Sequence, residues 1–294
     1  MRLKREGAEK TIFNAVAHIV IAILVAASIL PFVMIISGSL SSTQAIMKNG
    51  YSLAIQEFTL DAYRMIFRFP EEIGRSYLVS IFVTAAGTAS GLLIMAMAGY
   101  VLQRRDLRYS NQIAFFFYFT TLFSGGTVPW YMLISQMGLK ETVWALIVPM
   151  MCSPFNILLI RNFMKQIPDS LTESAKIDGA GDFYIFTKII VPLSKPILAT
   201  VGLFLALAYW NNWYLASLFV NDVNLWPMQY RLHRILTAAM AVAQGGAENF
   251  VNAAIPTETV KLANAVVATG PIVLLYPFLQ KYFVRGITIG AVKG

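Results

Sequence analysis

Six stretches of this 294-residue chain, at about 12–37, 76–102, 112–136, 142–163, 194–220 and 260–283, are long and apolar enough to cross a bilayer. None carries Asp, Glu, Lys or Arg in its central part. Inside hydrocarbon a backbone must satisfy its own hydrogen bonds, so runs of about 20 residues are helices, whereas barrel strands would alternate over about ten. The expected fold class is all-α, a polytopic membrane protein with six transmembrane helices. Hydrophobic residues make up 57% of the chain and charged ones 13%, against roughly a quarter charged in ordinary soluble domains. A soluble core is excluded, and six spans leave little chain for a second folded unit, so residues 1–294 read as one membrane domain.

Arg2, Lys4, Arg5 and Lys10 precede the first apolar run as they would in a signal peptide, but that run is too long and lacks a small-residue cleavage site. It reads as a retained span. The span layout puts the N-terminus, the 103–111 loop, the 161–195 connector and the C-terminal end on one side, with 15 basic and 7 acidic residues. The other side holds 8 of each, so the whole formal charge of +8 lies on one face. By the positive-inside rule both termini are cytoplasmic. The basic balance suits orientation in a lipid bilayer with anionic headgroups, and no basic stripe for nucleic acid is present.

Ser124-Gly125-Gly126 with Pro129 interrupts the third span and Pro149 and Pro154 bend the fourth, freeing backbone groups that need protein or water partners. Such breaks suit the border of a solute pathway. Ala85, Ala86, Gly87, Ala89 and Gly91 allow another helix to approach the second span closely. With one cysteine, Cys152, and two histidines, His18 and His233, the chain cannot assemble a disulfide framework or a His/Cys metal cluster. It contains no G-x-x-x-x-G-K-[ST] phosphate loop and no evident carboxylate pair, so it is not expected to be an enzyme, and any ATP must bind elsewhere.

Between the fourth and fifth spans, Ser170 and Glu173 have capping-box spacing, with Pro168 and Asp169 marking a helix start. Leu171 and Ala175 share one face, and Gly179 stands where helices end in a left-handed residue. A two-turn helix is predicted. Phe183, Phe186, Ile189 and Ile190 then form an amphipathic pattern stopped by Pro192 and Pro196, which would lie along the membrane surface. Ser174, Ala175 and Ala180 are small enough to enter a groove on another protein, with Glu173 and Asp178 presenting charge at its rim.

Glu173, Ala175, Gly179, Ile189 and Pro192 fall in the register E-x-A-x3-G-x9-I-x-[LV]-P, which resembles the signature of permease subunits of bacterial ABC importers. Ser174 stands where that family usually has alanine, and Val191 where it usually has leucine. The tail Val284-Arg285-Gly286-Ile287-Thr288-Ile289-Gly290-Ala291-Val292-Lys293-Gly294 is similar to those of the smaller permeases of maltose-type carbohydrate importers. Leu122 to Pro129, Arg161-Asn162-Phe163 and Trp210-Asn211-Asn212-Trp213 look like the oligosaccharide branch that includes alginate importers. The resemblance covers almost the whole chain. It implies the type I permease fold in a bacterial cytoplasmic membrane, with residues 168–192 as a cytoplasmic coupling loop and Glu173, Ser174, Ala175, Asp178, Gly179 and Ala180 at an ATPase contact. It also implies partners: a second homologous permease subunit, two ATPase subunits carrying ATP and Mg, and an extracytoplasmic solute-binding protein. This chain itself would bind no cofactor.

Trp210-Asn211-Asn212-Trp213 combines aromatic faces with amides, chemistry suited to an oligosaccharide or to anchoring at the interface. Asn156 is a further pathway candidate on the fourth span, whereas Asn162 lies near its cytoplasmic end. The long outer loop 221–259 carries Arg231, Gly245 and Gly246 as candidate binding-protein contacts, and Arg231, His233 and Arg234 have the charge to meet an acidic solute there. Gly286, Gly290 and Gly294 imply unusual backbone geometry in the tail, which the resemblance places near the ATPase interface. The competing class is an ion-gradient-driven carrier for a sugar or other polar solute. Such carriers often keep a carboxylate or histidine within the membrane, and the span centres here have none.

Overall fold

The structure, a computed structural model, describes residues 2–244 and 258–271. Among them the only extended pairing is an isolated antiparallel bridge between Ser41 and Phe58. The described residues divide into two compact units, 2–69 with 234–244 and 258–270, and 70–233 with 271.

In the first unit, α1 (Arg2–Ser39) is apolar around its circumference from Thr11 onward and exposes Ile12, Phe13, Ile19, Ile23 and Phe32. Only a lipid solvent makes such a surface favourable. Ser42 caps α2 (Thr43–Asn49) by accepting from the Ala45 N–H at 3.1 Å, and α3 (Asp61–Ile66) follows. Residues 258–271 are also helical and bond back to this unit through Thr43–Thr259 at 3.0 Å and Tyr51–Glu258 at 3.0 Å.

The second unit is organised around α4 (Pro70–Gln103), which packs against α8 (Pro154–Met164) and α12 (Lys195–Trp210). A close approach explains the small residues on α4. A Cβ built on Gly87 would lie 2.5 Å from the Tyr209 ring, whose hydroxyl donates to the Ile147 carbonyl at 2.8 Å. Gly91 is buried as well, while Ala85 and Ala89 face outward. Gly87→Leu is therefore expected to destabilise the α4–α12 contact by about 1–3 kcal/mol through overpacking. Thermal unfolding in detergent measures this, and the double variant with Tyr209→Ala should recover part of the loss.

Among the described residues two helices, Lys10–Ser39 and Pro70–Gln103, are continuous and apolar enough to span a membrane, and two bent pairs raise that number to four. The expected third span is two short helices, α5 (Ser110–Leu122) and α6 (Thr127–Gln136), flanking the break at Phe123–Gly126. The fourth begins as α7 (Trp144–Ile147), passes through a tight turn at Val148–Met150 and meets α8 at 49°, with Ser153 capping α8. The connector contains α9 (Asp169–Ile177), then α10 (Asp182–Ile185), a wide π-type turn over Phe186–Ile190 and α11 (Val191–Leu193). Together 182–193 meet α12 at 82°, so the chain turns at Ser194, two residues beyond Pro192. The fifth span breaks after Trp210 and resumes as α13 (Tyr214–Phe219); α14 (Met228–Gln244) follows. The described part of the sixth expected span is helical.

Candidate coupling surface and pathway residues

The connector helix α9 starts at Asp169, with Pro168 in the capping position and no side-chain cap. The capping box expected from Ser170 and Glu173 does not form. Proline fixes φ in front of the helix and moves its start two residues earlier, where the Asp169 carboxylate is taken by Arg105 at 2.8 Å. The other end behaves as the sequence indicates. Gly179 has φ of +81°, its N–H donates to the Lys176 carbonyl at 3.0 Å, and the Ala180 N–H donates to the Ala175 carbonyl at 2.9 Å. These two bonds define a Schellman ending, in which a left-handed residue satisfies the last carbonyls.

The helix is held on one side and open on the other. Ala175 and Ala180 pack against the core of the unit, whereas Glu173, Ser174, Asp178 and Gly179 are exposed and Ile177 is 86% exposed. Beyond it, Ile185, Phe186 and Ile190 are buried, and the Phe186 ring lies 5.3 Å from that of Tyr100 on α4. Phe183 is 75% exposed beside exposed Tyr184. The connector thus presents an apolar and acidic surface that the packed side holds in place.

A charged network fixes this placement, and it was not identified from the sequence. Arg104 bonds both Asp106 and Asp182, the latter at 2.7 Å; Arg105 pairs with Asp169, and Lys176 reaches Asp106 at 3.6 Å. The 103–109 loop therefore grips both the start of α9 and the start of α10. Bonds from Arg104 hold the Asp106 carboxyl well below the usual carboxylate range. A carboxylate lowered in this way stabilises the fold fully above its unfolded value of about 4 and loses that contribution progressively as pH falls from there through its lower folded value. The grip is therefore complete near neutral pH. The only signal in the sequence was opposite charge on two loops assigned to the same side.

The candidate pathway residues separate into two groups. Trp210 is 7% exposed, and Asn212 is committed to structure: its carbonyl oxygen accepts from the Leu215 N–H at 2.9 Å and its amide lies 3.1 Å from the Met150 sulfur. Asn212 thereby restarts the helix after the break. Asn211 and Trp213 are exposed, and the Trp213 ring stacks on that of His233 with centroids 4.2 Å apart. Asn156 is buried in the first turn of α8. The break at Ser124–Thr127 does border an open cavity of roughly 520 Å³, with Trp130 and Leu133.

Arg231 is not a surface contact. It is 6% exposed, bonds Glu72 and Ser76 on α4, and donates to the Val223 carbonyl at 3.0 Å. Its charge is used within the unit, because a buried guanidinium needs acceptors on every side. Gly245, Gly246 and the C-terminal tail lie outside the described residues.

A model of the family described as "Binding-protein-dependent transport system inner membrane component" matches residues 10–289. The chain belongs to that family. This permease is 41% identical over 266 residues to the Bacillus subtilis (strain 168) polygalacturonan/rhamnogalacturonan transport system permease protein YtcP, covering 90% of this chain and 93% of the relative. It is 42% identical over 269 residues to protein LplC of the same strain, covering 92% and 90%. Among solved structures it is similar to a chain from a bacterial ABC transporter involved in the import of the acidic polysaccharide alginate. That match has a TM-score of 0.78 and 28% identity, and covers 93% of this permease and 97% of that chain. The resemblance read from the connector motif and the all-α type I permease fold are thereby established, as is the inner-membrane transport family.

Proposed function

We propose that this permease forms one of two membrane subunits of an ATP-driven importer for oligosaccharides, with an acidic, alginate-like solute as the finer reading. The observation that carries it is the exposed face of α9: a helix closed by a Schellman ending, clamped at its start by Arg105, followed by α10 clamped by Arg104, and left open along Glu173, Ser174, Asp178 and Ile177. That face suits the groove of an ATPase subunit, and both chain termini lie on the same, cytoplasmic side. A second permease subunit completes the pathway, and an extracytoplasmic binding protein delivers the solute. ATP and Mg belong to the ATPase partners, and binding of ATP drives transport through its different affinity for the inward-facing and outward-facing states. Asn211 and the Trp213–His233 stack are the groups on this chain that best suit sugar rings and hydroxyls. The relatives named for polysaccharide transport support the solute class.

The test is uptake of labelled oligosaccharide by cells or proteoliposomes carrying the assembled importer. Depleting ATP should stop it, while collapsing ion gradients at constant ATP should not. Uptake that follows the gradient and ignores ATP would overturn the reading in favour of an ion-driven carrier.

A further inference from the structure

A cavity of roughly 530 Å³ opens between the 103–112 segment and the end of α8, and its lining is strongly basic. Arg104, Arg105, Arg108 and Lys165 contribute cations and Asp169 the one carboxylate. Arg104 and Arg105 have acidic partners in the connector network. Arg108 lies over the Tyr109 ring at 5.4 Å, and neither it nor Lys165 has a carboxylate partner among the described residues. Behind the lining sits Arg161, more than nine-tenths buried, its guanidinium donating to the Leu102 carbonyl at 2.9 Å and the Asn111 amide oxygen at 2.7 Å. These acceptors are neutral, so its charge is uncompensated by any carboxylate among the described residues. Burial and the neighbouring Arg161 charge push the Lys165 ammonium pKa down, as crowded cations do.

The helix that borders the cavity, α5, also carries an apolar stripe. Asn111 lines the cavity, and at successive four-residue steps along α5 and its end stand Phe115, Phe119 and Phe123, all exposed. Their rings follow one another at 6.4 and 4.5 Å. A soluble anion uses the basic mouth alone. A molecule with a phosphate head and hydrocarbon tails matches both surfaces.

We propose that this cavity binds the phosphate headgroup of an anionic phospholipid, with its chains laid along the Phe115–Phe119–Phe123 stripe. Arg108 and Lys165 supply the free charge, and Arg161 gives the site its standing positive potential. Because Arg104, Arg105 and Asp169 belong to both the cavity wall and the connector network, an occupied cavity steadies the start of α9.

The test measures lipid retention by native mass spectrometry on the full chain, alone and assembled with its ATPase partners. Phosphatidylglycerol should bind in preference to phosphatidylcholine, and the double variant Arg108→Gln/Lys165→Gln should weaken that preference about tenfold or more. Arg108→Lys/Lys165→Arg, which keeps both charges, should retain it, and Lys188→Gln, on the connector outside the cavity, should leave it unchanged. Equal retention of the two lipids would overturn the proposal, as would an equal loss in Lys188→Gln, which would mean general attraction to a basic face. Displacement of the lipid by millimolar inorganic phosphate would make the site one for a soluble anion. Loss of the lipid on assembly would make it a protein-docking surface, and either result refutes the lipid assignment.

Discussion

Gly179→Val is expected to reduce ATPase association and coupled transport at least tenfold while leaving membrane insertion unchanged. Gly179 adopts φ of +81° with nothing within 4 Å of where a Cβ would sit, so space is not the constraint. The backbone region is. A β-branched residue there is strained by about 1–3 kcal/mol, and the local structure relieves the strain by giving up the left-handed turn. The bonds that would go are those from the Gly179 and Ala180 N–H groups, which end α9 with Asp178 and Ala180 at its edge. Asn tolerates the left-handed region, so Gly179→Asn should retain most of the activity and separates conformation from surface chemistry. Pull-down of the ATPase subunits and uptake in proteoliposomes are the readouts. Normal docking and transport in the valine variant would remove the connector from the coupling route.

Arg231→Met is expected to lower stability by about 2–4 kcal/mol, since it removes a buried guanidinium that binds Glu72, Ser76 and the Val223 carbonyl. Methionine retains much of the volume, so the loss reports the polar contacts rather than a cavity. Glutamine keeps an amide oxygen that can accept from Arg231 at this half-exposed position, so Glu72→Gln should have the smaller effect, about 1 kcal/mol or less. Thermal unfolding of both variants in one detergent decides the order. Equal stability of Arg231→Met and the unsubstituted protein would refute the structural role.

These two sites mark the limits of the sequence. The Gly179 turn was legible because a glycine after an eight-residue helical pattern has a local cause, and the spans were legible because lipid imposes a continuous apolar composition. Breaks made by Ser124-Gly125-Gly126 or Pro154 announce themselves for the same reason. The break after Trp210 does not, since no glycine or proline makes it; the Asn212 side chain restarts the helix through Leu215. Arg231 read as a surface group because its carboxylate partner, Glu72, is 159 positions away. The Arg104–Asp182 pair was hidden in the same way, both members appearing as ordinary loop charges. The misplaced start of α9 has a local cause: Pro168 outcompeted the serine two residues later.

The corner at Ser194 joins the amphipathic segment 182–193 to α12 at 82°, and it is fully buried. A joint of this kind has the form of a bell crank: displacing the first arm would rock the second. The far end of the second arm carries Tyr209, wedged against Gly87. Any rocking of the second arm would therefore be felt first where the two helices have no slack.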